Sequence, residues 1–74
     1  MPYIAIKCYP KDEAVKKEVA KEITDTFTKL WGCPKTAISI SFEEVDPSDW
    51  NKVEEKEIKP NQDKMYVLSG EETK

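Results

Sequence analysis

The chain has 74 residues, 12 lysines against 15 acids, and a net charge of −3. It contains no histidine and no arginine, which excludes a histidine triad, a histidine-ligated metal and bidentate guanidinium recognition. The acidic balance speaks against a nucleic-acid partner, which calls for a basic patch. No apolar run approaches the ~20 residues of a membrane span, and the N-terminus lacks a basic-then-apolar leader. A cytoplasmic location is the expectation, with the two cysteines as free thiols. A chain this short forms one domain, residues 1–74, and buries only about 60% of the surface its unfolded form exposes. Small cores of that kind need a bridge, a metal or association.

The opening stretch, Pro2 to Tyr9, alternates Ile4, Ile6 and Cys8 with Tyr3, Ala5, Lys7 and Tyr9. That period predicts a strand with two different faces. Pro2 suits a strand start and Pro10 a strand end.

Residues 12–31 place Val15, Val19, Ile23, Phe27 and Trp31 four apart, widened by Ala20 and Leu30. This is an amphipathic helix with charge on its other face. Asp12 is the expected N-cap, Glu13–Lys17 and Asp25–Lys29 the expected pairs, and Trp31 a core residue. Gly32 followed by Pro34 ends it.

Residues 37–45 alternate Ile38, Ile40 and Phe42 with Ala37, Ser39 and Ser41. They read as a second strand. Strand, helix, strand with short links is a β-α-β unit, with parallel strands and a right-handed crossover. The helix covers one face, that of the even-numbered apolar residues. The other shows Tyr3, Ala5, Tyr9, Ala37, Ser39 and Ser41. Two strands are too few to stand alone, so the expected state is a homo-oligomer, most simply a twofold dimer.

Asp46-Pro47 is an N-cap and first helical position. A short charged helix is expected to run to Ile58 and end at Pro60. Lys64–Leu68 reads as a short strand or docking tail, and the last residues as a frayed end.

Pro2 directly after the initiator Met, followed by β-α-β at this length, resembles the 4-oxalocrotonate tautomerase family. MPYIAIKCYP has the form of that family's N-terminus. SISFEEVDPSDW resembles the second strand and following turn of its longer, dimeric bacterial subgroup. The resemblance covers Met1 to Trp50. It implies that Met1 is removed and that the secondary amine of Pro2 becomes the general base. That base moves a proton between carbon and oxygen of a small 2-keto acid. An α-amino group has a pKa of about 8. Apolar burial and nearby cations lower it toward neutrality, where a base is both free and strong. With Met1 attached, the same nitrogen is an amide and no base exists.

The family's better-known members use two arginines that are absent here. The resemblance puts Lys11 at or beside the first, as a point charge for the carboxylate. It puts Ser39 at the second, as a single hydrogen-bond donor, and Trp50 at an aromatic wall that keeps the proline pocket dry. It implies a small-molecule keto or enol acid as partner, with neither cofactor nor metal. Two other readings share these residues. One is a catalytically silent oligomeric binding protein; the other is a dehalogenase or decarboxylase using the same proline. Tyr3 and Tyr9 read as interface residues, and Lys7 as solvated or at an interface. Cys8 reads as core, Cys33 as a loop thiol, and the acid-rich stretches around Glu43–Glu44 and Glu54–Glu57 as solvated faces.

Overall fold

The computed structural model describes every residue, Met1–Lys74. Strand β1 (Tyr3–Cys8) leads into helix α1 (Glu13–Thr26), which continues through a wider final turn, Phe27–Trp31. Strand β2 (Ser39–Glu44) follows a single tight turn at Lys35–Ala37. β1 and β2 pair in parallel, with Tyr3 opposite Ser39, Ile6 opposite Phe42 and Cys8 opposite Glu44. The β-α-β unit expected from the sequence is therefore present, with β2 shorter than the 37–45 run: Ala37 closes the turn, and Ile38 and Val45 flank the strand.

The alternation of side chains sorts the two faces. Ile6, Cys8, Ile40 and Phe42 line hollows together with Val15, Val19 and Ala20 of α1. Ala5 and Lys7, on the opposite face, line another with Trp50, Val53, Ile58 and Met65. A C-terminal helical arm makes that second layer. It begins with a turn at Pro47–Asp49, forms α2 (Trp50–Val53), and runs on through Glu54–Ile58 and Lys59–Lys64. Lys7 of β1 and Glu57 of the arm form an ion pair that pins the layer to the sheet. Lys7 is thus held within the chain rather than simply solvated.

Several local expectations are corrected. Glu13–Lys17 and Asp25–Lys29 do not pair; Lys16 instead meets Glu13 (2.9 Å) and, across the chain, Glu44 (3.1 Å). Lys16 thus joins a carboxylate one turn back on α1 to one at the end of β2. The arm kinks at Asn61 (φ −112°, ψ 16°), directly after Pro60, so the helix from Trp50 stops there as expected and a further tight turn follows to Lys64. The C-terminus is not frayed: β3 (Val67–Leu68) and β4 (Glu71–Glu72) form an antiparallel hairpin. Ser69 and Gly70 both have positive φ, 50° and 83°, the geometry of a two-residue hairpin turn. Trp31 is not core. It stacks on Phe27, with ring centroids 4.9 Å apart, yet is 69% exposed, and Leu30 beside it is 78% exposed.

Only Val53 is buried, and it keeps 8% of its surface exposed. The chain exposes 5990 Å², whereas a folded monomer of 8.5 kDa exposes about 4,650 Å². The excess is about 1,300 Å², more than the roughly 800 Å² each partner gives up in a standard interface.

Gly32 has φ of 80° and lets the Phe27 carbonyl accept its N–H at 3.1 Å, closing α1. No atom lies within 4 Å of the place a Cβ would take, so a substitution there is strained by its backbone alone. Gly32→Ala is expected to lower stability by about 1–2 kcal/mol, with Gly32→Asn less harmful. Urea unfolding of the two variants beside the parent checks this.

Candidate active site

The residues singled out in the sequence fall at two ends of β1. Pro2 stands just before the strand, half-buried, and its carbonyl accepts the Ser39 N–H at 3.1 Å. Ser39 is exposed on the same face as Tyr3 and Ser41, whose hydroxyls hydrogen-bond at 3.0 Å. The terminal amine of Met1 donates to the Ala37 carbonyl at 2.7 Å. Pro2 and Ser39 thus share one end of the sheet, and none of the four hollows of the single chain includes Pro2.

Lys11 and Trp50 share the other end. Trp50 starts α2 because Asp46 caps the preceding turn: its carboxylate accepts the Ser48 N–H at 2.9 Å and the Ser48 hydroxyl at 2.8 Å. The indole then meets Tyr9 edge-on, with centroids 5.2 Å apart and planes at 85°. Behind them lies a groove of about 600 Å³. Its floor is apolar, formed by Ile6, Cys8, Val15, Val19 and Phe42, and three lysines stand around it.

Those lysines are not equivalent. Lys7 is paired with Glu57, whose hydrogen bond raises the pKa of the ammonium. Lys16 is paired with Glu13 and Glu44, whose hydrogen bonds raise its pKa too. The Lys11 ammonium makes no ion pair. It is the one cation at the groove with its charge uncommitted. An apolar groove with a single free ammonium suits a small organic acid with an apolar tail.

Pro2 and Lys11 cannot touch one small molecule within a single chain. The six residues of β1 separate them, and at ~3.3 Å per residue that is about 20 Å. Glu44, expected on a solvated acidic face, instead frames the Lys11 end together with Lys16, which the sequence did not single out. The expected parallel register would have placed Glu44 beside the residues that follow Cys8.

A parallel β-α-β unit that opens on Met-Pro, with an apolar, lysine-rimmed groove at the far end of its first strand, defines a small α/β enzyme scaffold. The tautomerase family, described as "Tautomerase enzyme", matches residues 2–52. Tautomerase PptA of Escherichia coli O127:H6 is 34% identical over 72 residues, covering 95% of this chain and 96% of that protein. Tautomerase PptA of Shigella sonnei is 33% identical with the same coverage. The chain belongs to the tautomerase family and is an enzyme of the isomerase type. No helix is long and apolar enough to cross a membrane.

The cap that sets Trp50 is open to titration. The Ser48 N–H and then its hydroxyl hold the Asp46 carboxyl below the usual aspartate range. A depressed folded-state pKa stabilises the fold above the ordinary aspartate value and loses that effect as pH falls through the depressed one. Asp46→Ala is therefore expected to be less stable than the parent at pH 7. The gap should close below pH ~3.9, as read from urea midpoints across pH.

Proposed function

We propose that the chain is a dimeric tautomerase that interconverts the keto and enol forms of a small, aryl- or alkyl-bearing 2-keto acid, with Pro2 as its base. The single observation that carries the reading is the division of candidate residues between the two ends of β1. One copy supplies Pro2 and Ser39; its partner supplies Lys11, Trp50 and the groove. A twofold axis that sets two β1 strands antiparallel gives two such sites at once. The excess of exposed surface is what the pairing would cover.

The chemistry follows from the residues. Removal of Met1 turns an amide nitrogen into a secondary amine. The partner's Lys11 ammonium and the apolar wall both disfavour a second positive charge, and so bring the pKa of that amine toward neutrality. Lys11 takes the substrate carboxylate as a point charge, and the apolar tail lies in the groove. The Pro2 nitrogen removes a proton from C3. The C–H electron pair becomes the C2–C3 double bond, and the carbonyl oxygen takes up negative charge and then the proton that Pro2 has taken from C3, which frees the amine again. The Ser39 hydroxyl donates one hydrogen bond to that oxygen as charge develops. Trp50, fixed against Tyr9, keeps water off the amine. In the reverse path Pro2 takes the enol proton from oxygen and delivers it to C3.

The test is the ketonisation rate of an aryl enolpyruvate with Met-free protein. Pro2→Ala is expected to lose about 10²-fold or more in kcat. Lys11→Ala is expected to raise KM about tenfold with a smaller change in kcat. Parent and Pro2→Ala running equally at the buffer rate would overturn the reading. Sedimentation at micromolar concentration is expected to show a dimer.

A further inference from the structure

We propose that Glu44 is a positioning residue: it holds the backbone of Lys11 so that the Lys11 ammonium stays free and aimed at the substrate carboxylate. This rests on the role given to Lys11 above. The loop from Tyr9 to Asp12 carries Lys11 between β1 and α1, and Pro10 within it has no N–H to give. The Lys11 N–H has no backbone acceptor. It donates to the Glu44 carboxylate at 2.9 Å. The same oxygen accepts the Lys16 ammonium at 3.1 Å, and Lys16 also reaches Glu13 at 2.9 Å. Glu44 is itself fixed, because it ends β2 opposite Cys8, and the next residue, Val45, donates its N–H to the Cys8 carbonyl at 2.8 Å.

The arrangement separates two tasks. An acid beside a substrate-binding lysine would normally quench its charge. Here the acid takes the main-chain N–H of Lys11, and its negative charge is answered by Lys16 from α1. The lysine that must bind an anion is anchored by its backbone and left electrically available. One carboxylate thus ties the end of β2, the β1–α1 loop and α1 together beside the groove. The Lys11 N–H bond and the Lys16 pairing both hold the Glu44 carboxyl below the usual glutamate range, so it is ionised at neutral pH.

The experiment compares Glu44→Ala and Glu44→Gln, each alone and with Lys11→Ala, on the aryl enolpyruvate used above. Glu44→Ala is expected to raise KM roughly three- to tenfold with kcat within about twofold. Glu44→Gln keeps an oxygen for the Lys11 N–H and is expected to recover most of that loss. In the Lys11→Ala background, Glu44→Ala should add nothing, since its effect passes through Lys11. Equal increments in both backgrounds, or a loss confined to kcat, would overturn the proposal. A readout independent of turnover is hydrogen exchange at the Lys11 amide. It is expected to speed up in Glu44→Ala and stay slow in Glu44→Gln, and unchanged exchange in Glu44→Ala would also overturn the proposal. If Glu44→Ala does not fold, Glu44→Asp replaces it, since that side chain keeps its charge but falls a methylene short. A parent enzyme without Pro2-dependent turnover would defeat the reading of the site. A parent that turns over and ignores Glu44 would defeat only this inference.

Discussion

A two-stranded sheet under one helix cannot bury its own apolar surface, and that deficit governs the rest of the molecule. The helix takes the even-numbered face. The C-terminal arm takes part of the other, at Ala5 and Lys7, and it buries a single residue, Val53. Tyr3, Tyr9, Leu30 and Trp31 remain exposed. With about 1,300 Å² more surface than a monomer of this mass should show, the chain has the energetics of half an assembly. Hydrophobic burial at ~25 cal/mol per Å² makes covering such surface a dominant stabilising term.

The same deficit shapes the site. A short strand holds the proposed base and the uncommitted cation about 20 Å apart. In the proposed dimer a second copy would bring opposite ends together, so association and chemistry would draw on one geometry. The groove beside Lys11 supplies apolar walls and one free ammonium. On the proposed reading the end beside Ser39 supplies the nitrogen and one hydroxyl, and neither half is a site alone. The local ion pairs then read as supports: Lys7 to Glu57 holds the arm that carries Trp50, and Lys16 to Glu44 holds the loop that carries Lys11.

Much of this architecture could be read in the residues themselves. Alternation in β1 and β2 and the four-residue step from Val15 to Phe27 set the β-α-β order. Gly32 marked the end of the helix and Asp46-Pro47 the start of the arm. The misses have physical causes. β3 lies inside the Lys64–Leu68 stretch read as a short strand or docking tail, but its two-residue partner β4 carries almost no periodicity and was read as a frayed end. Trp31 completes an apolar stripe on paper, yet the lone sheet is too small to reach it. Lys7 and Glu57 lie 50 positions apart, beyond any local pattern. Glu44 sat in an acid-rich run, and only the parallel register revealed what it faces.

The measurement that bears most directly on a site shared by two chains is complementation. Met-free Pro2→Ala and Lys11→Ala proteins are each purified, then mixed, unfolded and refolded together, and assayed at substrate well below KM. If each site takes Pro2 from one copy and Lys11 from the other, the mixed dimers contain one intact site. Activity then rises well above the sum of the separate variants, toward about a quarter of the parent's, as random pairing of two chains dictates. If each chain builds its own site, no mixture contains an intact one, and activity stays at the average of the two variants.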